Sequence, residues 1–189
     1  IQQADTAFNN AVILGFKIAT GERVKIGQIA FSGNTAVSDK VLFRAMKNTK
    51  VKGKSILKVS KLKNKEYKDD LKAVVAKYNS LGYRDARIVQ DTSYSVSSEL
   101  INIDISLEEG KKYYFGDITF IGNTKYETVL LTSILRINRG DIYDSQLLNE
   151  RVSFDQNGND VASVYLNNGY LFSQVIPVEK SVSNDTIDI

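Results

Sequence analysis

The sequence has no cysteine, no histidine and no tryptophan, and only one proline and one methionine in 189 residues. Without Cys there is no disulfide and no thiolate nucleophile. Without His as well, imidazole and thiolate metal sites are excluded, as is any catalytic triad that uses either residue. No apolar run reaches the roughly 18 residues that a membrane-spanning helix needs. A surplus of one charge is also missing: 25 Lys and Arg face 22 Asp and Glu, a net of +3, too mild for a nucleic-acid surface. The carboxylates are scattered, with no paired acid and base arrangement. Gly53-Lys54-Ser55 lacks the upstream glycine of a phosphate loop. The chain is therefore read as a non-enzyme with no catalytic, cofactor-binding or metal residues. It begins at Ile1 and not at Met, and both ends are expected to be cuts. A cysteine-free chain fits cytosol and periplasm equally.

What is present is a duplication. Gly27, Ile29, Phe31, Gly33, Asn34 and Thr35 return 89 positions later as Gly116, Ile118, Phe120, Gly122, Asn123 and Thr124. Gly53, Tyr78, Gly82 and Tyr83 return 87 positions later as Gly140, Tyr165, Gly169 and Tyr170. Two anchor sets that each hold a fixed offset indicate a tandem array of one small fold. Arrays offer surfaces and edges more often than pockets, and the functional site is sought there.

Within each copy the hydrophobic period switches in a fixed order. Val24 to Phe31 and Tyr114 to Ile121 read as first strands stopped by Gly-Asn. Ser38 is placed to cap a first helix carrying Val41, Leu42, Ala45 and Met46; Thr124 or Lys125 precedes its counterpart with Val129, Leu130, Ile134 and Leu135. A longer helix follows, with Tyr67, Leu71, Val74, Val75 and Tyr78 on one stripe. Gly82 and Gly169 stand where a helix C-terminus favours positive φ. Second strands are expected over Arg87 to Ser95 and Leu171 to Val178. Ile101, Ile103, Ile105 and Leu107 alternate with polar residues as a third strand with one buried face. The same alternation in Val12, Leu14, Phe16 and Ile18, and in Ile187 and Ile189, divides the chain. Residues 1–21 form the last strand of a preceding unit, 22–109 a complete unit, and 110–189 a second unit cut within its last strand. Short joints at Ala19 to Arg23 and Glu108 to Lys112 leave little hinge freedom.

The strand-helix-helix-strand-strand order resembles that of polypeptide-transport-associated (POTRA) domains, particularly those of BamA-like outer-membrane β-barrel assembly factors. So do the Phe-x-Gly-Asn-Thr strand ends (Phe31 to Thr35, Phe120 to Thr124), the Gly-Tyr closes at Gly82-Tyr83 and Gly169-Tyr170, and the Glu109-Gly110 joint. The resemblance implies an α+β fold of tandem units, each a three-stranded mixed sheet packed on two helices, with the third strand central and the second at the edge. It implies a periplasmic array beside a C-terminal membrane β-barrel, binding unfolded outer-membrane proteins by β-augmentation and scaffolding accessory assembly lipoproteins. A two-partner secretion transporter or a translocation-assembly factor shares the motifs. A nucleic-acid-binding α+β module is the competing class, disfavoured by the low net charge and by the lack of a Gly-rich or aromatic-rich strand motif.

Pro177, the single proline, falls in the expected second strand of the second unit and would spoil its edge, because proline donates no ladder hydrogen bond. The first unit's edge is therefore the expected docking rail: Ile88, Val89, Gln90, Asp91 and Thr92, with Tyr78 and Tyr83 as groove or as core. Ten Lys against three acids between Lys47 and Lys72 form a basic stretch. Its Lys50, Lys52, Lys54, Lys58 and Lys61 are weighed as weak contacts for an anionic lipid surface and as a solvated face. Asp155 to Asp160 resembles a calcium loop for three positions, then lacks the glycine and the closing Glu. With Gly158 inside the expected second helix, a broken helix is the better reading.

Overall fold

A computed structural model describes residues 2–4, 12–18, 24–51 and 62–189. Of the basic stretch, Lys52, Lys54, Lys58 and Lys61 lie outside these residues, as does the first joint. At the start, β1 (Gln2–Ala4) pairs antiparallel with β2 (Val12–Leu14). The expected strand through Ile18 stops at Leu14: Phe16 and Ile18 are exposed.

The first unit runs β3 (Lys25–Ser32), α1 (Asp39–Ala45), α2 (Asn64–Asn79), β4 (Arg87–Ser97) and β5 (Leu100–Glu108). The sheet order is β3-β5-β4, with β5 parallel to β3 and antiparallel to β4. β5 is central because its alternation supplies a complete apolar row. Ile103, Ile105 and Leu107 are buried against Ile26, Ile29, Leu42, Met46, Val74 and Tyr78, and each fully buried aliphatic side chain contributes roughly 1.5–3 kcal/mol. The α2 stripe buries Tyr67, Val74 and Tyr78 together with an unforeseen Asp70. The Asp70 carboxylate accepts from the amides of Asn48 (3.1 Å) and Thr49 (2.5 Å) and from the Asn48 side chain. It thereby ties the chain leaving α1 to the side of α2. Ser38 is the N-cap residue of α1 by position, without a side-chain cap bond.

The second unit has β6 (Tyr114–Phe115), α3 (Thr128–Leu135), α4 (Ser145–Asn149), a π-helical turn (Glu150–Phe154), α5 (Val161–Leu166), β7 (Ser181–Ser183) and β8 (Thr186–Asp188). Its order β6-β8-β7 repeats the first sheet with the same parallel and antiparallel pairings. The long second helix is broken around Gly158, as the sequence suggests. Asp155 accepts from the Asn157 amide, and buried Asp160 caps α5 by accepting from the Ser163 amide (2.8 Å) and hydroxyl. Both carboxylates thus serve turns and caps.

Four sequence expectations are corrected here. α3 is capped by position at Glu127, not at Thr124 or Lys125, and buries Leu131 and Leu135 while Val129 and Leu130 stay exposed. β6 ends at Phe115 instead of Ile121, and beyond it the last cross-link is Thr119 N to Ile189 O. Leu171 to Val178 forms no strand, and β7 lies after it. Pro177 lies in this unpaired segment.

Candidate strand-docking edge and the joint between units

β4 is the longest strand among the described residues, and there it pairs with β5 alone, so its other ladder edge is open. Two β-bulges interrupt the pairing, one leaving Val89 as an extra residue between Ile88 and Gln90, the other leaving Val96 between Ser95 and Ser97. Between them, Gln90 to Ser95 pair without a break with Ser106 to Ile101. Bulges bend and twist an edge and so limit indiscriminate pairing. Both bulged valines are exposed, Val89 at 60% and Val96 at 58%, so an apolar side chain stands at each end of the regular stretch.

The expected rail residues separate on this geometry. Ile88 lies opposite Leu107 and packs on the core. Val89 occupies the bulge. Gln90 and Thr92 share the wet face, where the Gln90 amide donates to the Thr92 hydroxyl at 3.0 Å. Asp91, opposite Ile105, belongs to the face toward α2. Burial first, and then the nearby Asp91 carboxylate, push the Tyr67 phenol well above its ordinary range, although the two do not close a hydrogen bond of full geometry.

Tyr78 is core and not groove: it is fully buried, and its hydroxyl donates to Glu109 at 2.9 Å. Tyr83 is half-buried with its ring edge-on to Tyr78, centroids 5.9 Å apart, as Tyr170 is to Tyr165 at 6.1 Å. Lys50 is partly buried, and its ammonium donates to the Met46 carbonyl.

Glu109, read from the sequence only as part of the Glu109-Gly110 joint, is a buried acceptor. Its carboxylate accepts from Thr35 N (3.0 Å), Thr35 Oγ1 (2.7 Å), Ala36 N (2.9 Å), Val37 N (3.2 Å) and Tyr78 Oη. Burial alone would raise its pKa. The donors from Thr35, Ala36, Tyr78 and Val37 outweigh that and hold the carboxyl below the usual range. The Gly-Asn-Thr loop is thus an anion nest filled by the residue that opens the joint.

The joint is closely packed. The Tyr113 amide donates to the Gly82 carbonyl at 2.8 Å. Gly82 has φ +95°, and a Cβ there would stand 3.0 Å from Ile142, Lys112 and the Tyr113 carbonyl, all of the second unit. Arg84 grips the Glu179 carboxylate through two nitrogens, and the Tyr143 hydroxyl donates to the same carboxylate at 2.6 Å. Desolvation works against the ionised form of Glu179, but the Tyr143 and Arg84 bonds prevail and keep it acidic.

In the second unit, 118–123 and 173–178 flank an apolar groove of about 600 Å³ whose floor includes Leu131, Leu135, Val161 and Tyr165. Among the described residues no helix is long and apolar enough to cross a membrane, and no group of three or more acidic residues is placed to hold a metal ion.

Two small β-α-α-β-β units with a central third strand, joined by a tight turn, define a tandem transport-associated module. The POTRA family model, described as surface antigen variable number repeat, matches residues 24–110 and 113–189; the chain belongs to this family. It is 28% identical over 164 residues to a Treponema pallidum (strain Nichols) protein assigned as an outer membrane protein assembly factor, covering 84% of this chain and 18% of that protein. It is likewise 28% identical over 170 residues to the outer membrane protein assembly factor BamA of Neisseria meningitidis serogroup B, covering 88% of this chain and 20% of that one. The chain thus spans about a fifth of the length of these curated relatives. The crystal structure of Haemophilus influenzae BamA POTRA3-5 superposes with a TM-score of 0.64 at 22% identity, over 92% of this chain and 67% of that one, a likeness of fold.

Proposed function

We propose that this chain is part of the periplasmic POTRA array of an outer-membrane β-barrel assembly factor, and that β4 of the first unit receives extended segments of unfolded outer-membrane proteins by β-augmentation. Accessory assembly lipoproteins bind the same array, and a C-terminal membrane β-barrel anchors it. The names borne by the relatives support the setting. The observation that carries the mechanism is the open edge of β4, with its regular stretch at Gln90–Ser95 bracketed by exposed Val89 and Val96. Gln90, Asp91 and Thr92 of the expected rail fall inside that stretch, and Ile88 and Val89 at its rim.

The energetics suit a transient host. A five-residue client segment gains about four backbone hydrogen bonds at roughly 0.5–1.5 kcal/mol each, while ordering it costs about 1–2 kcal/mol per residue. The main-chain terms alone leave a net cost of about 3–4 kcal/mol at mid-range. Apolar client side chains meeting Val89 and Val96 then supply the net affinity, and binding stays weak and tolerant of sequence.

The test uses two neighbouring proline substitutions, Thr92→Pro and Ser93→Pro, in the full-length protein. Successive strand amides point to opposite sides, so one variant removes an outward donor and the other breaks the pairing with β5. The outward variant is expected to keep its circular dichroism and melting temperature and to lose most client photocrosslinking. Full crosslinking by that folded variant rejects the rail.

A further inference from the structure

Asn-Gly occurs twice in the chain, at Asn157-Gly158 and at Asn168-Gly169. Asparagine is a labile side chain in water, and a following glycine, having no Cβ, lets its backbone nitrogen approach the asparagine side-chain carbon closely. Both asparagines are exposed, but the fold holds them differently. Asn168 closes the C-terminal end of α5. Its side-chain amide donates to the Val164 carbonyl at 2.8 Å, its backbone amide bonds Tyr165 O, and the Gly169 amide bonds Leu166 O. Tyr170 N then returns to Tyr165 O, and the two rings meet edge-on. For the Gly169 nitrogen to reach the Asn168 side chain, that side chain must leave Val164 and the helix end must unwind.

Asn157 lies in the break between the π-helical turn and α5, and among the described residues no group bonds its side chain. Its backbone amide donates to the Asp155 carboxylate at 2.6 Å, and the Gly158 amide donates to the Asp155 carbonyl at 3.0 Å. A single solvent-exposed turn on one residue is all that has to open. Nothing crowds it, since a Cβ on Gly158 would meet only the Ser163 hydroxyl, at 3.8 Å.

We infer that Asn157 is a self-modification site, where the side-chain amide is lost to water and leaves isoaspartate and aspartate, and that its helix-end bonds spare Asn168. The Gly158 nitrogen gives its proton to hydroxide and attacks Cγ of Asn157. A nitrogen–carbon bond forms, the Cγ–Nδ2 bond breaks, and Nδ2 takes a proton from water and leaves as ammonia. Water then opens the cyclic imide. Cleavage between the nitrogen and Cγ leaves aspartate; cleavage between the nitrogen and the main-chain carbonyl carbon leaves isoaspartate. The sum is one water consumed and one ammonia released, with no change of oxidation state. Either product adds a carboxylate to a polar recess of about 420 Å³ that Glu150 and Asp155 already line, so like charges gather there. Isoaspartate also lengthens the main chain by one carbon. The turn before α5 is expected to loosen, while Asp160 still caps α5 through the Ser163 amide. This site lies in the second unit, apart from the client rail of the first, so the two can fail separately.

The test keeps the full-length protein at mildly alkaline pH in 18O-labelled water, folded and, in parallel, unfolded in guanidinium. The peptides carrying each asparagine are followed by mass spectrometry, with electron-transfer fragmentation to separate isoaspartate from aspartate. In the folded protein, label is expected to enter at residue 157 at least tenfold faster than at residue 168, and on unfolding the two rates are expected to converge. A folded ratio below tenfold overturns the inference. So does a ratio that survives unfolding, which would place the difference in the flanking side chains and not in the fold. N157Q, whose longer side chain disfavours the cyclic imide, is expected to abolish label in its peptide; persistent label would assign the reaction to Asn159 and overturn the inference as well.

Discussion

The first unit closes its sheet around a nine-residue β5 that carries its apolar row to Leu107 and then sets Glu109 into the Gly33-Asn34-Thr35 loop. The second unit builds the same turns and helices around a three-residue β8, and its Gly122-Asn123-Thr124 loop borders an open groove. The turns after the first strands are nearly identical in the two copies. Asn34 and Asn123 each donate a side-chain bond to the carbonyl three residues on, and Gly33 and Gly122 share a φ near +80°. Loop chemistry therefore suffices to shape the ends of the elements.

The glycine pair gives the sharpest contrast. A Cβ on Gly33 would stand 2.0 Å from the Leu107 carbonyl oxygen, whereas one on Gly122 meets nothing within 4 Å. G33A is expected to cost about 4 kcal/mol, in the range of the most disruptive single substitutions, because the added Cβ meets the Leu107 backbone. Urea unfolding measures the loss, and a G33A midpoint equal to the parent's would mean that Leu107 is not held against Gly33. E109A leaves the amides of Thr35, Ala36 and Val37 without their acceptor and is expected to cost roughly 3 kcal/mol, read from the same curves.

Acid should separate the units as well. The folded Glu109 carboxyl titrates below that of an unfolded glutamate, about 4.3. Its stabilisation is therefore complete above that value and is lost as pH falls through the lower folded value. E109Q is expected to flatten this acid limb of melting temperature against pH. With no histidine in the chain, side-chain titration contributes little between about pH 5 and 8. The smallest effect belongs to the joint. Arg84 and Glu179 are about one-third exposed, so E179A should change stability by about 1 kcal/mol or less. It should nonetheless increase relative motion of the units, measured as a loss of common rotational correlation in 15N relaxation.

The sequence reads most clearly where one period dominates. Ile101, Ile103, Ile105 and Leu107 announce β5 within a residue of its ends, and the stripe from Tyr67 to Tyr78 announces α2. Leu171 to Val178 misleads because its β-branched residues satisfy strand propensity, while strand assignment requires a ladder partner. The two buried acids were missed, although parity marks both. Glu109 continues the inward i, i+2 row of Ile103, Ile105 and Leu107, and Asp70 lies on the buried face between Tyr67 and Val74. Both positions imply a carboxylate held by donors from elsewhere. The clasp between Arg84 and Glu179 spans 95 positions, and no local pattern foretells it. Of the edge, the open ladder was expected from the family resemblance, but the bulges at Val89 and Val96 were not, since the extra residues look like ordinary strand valines.

Glu109 also has a mechanical role. It is anchored by five donors directly before Gly110, whose φ of +70° sets the corner between units. The end of β5 is thereby tied to both the loop after β3 and to α2, so a pull on Gly110 is shared among three elements of the first unit.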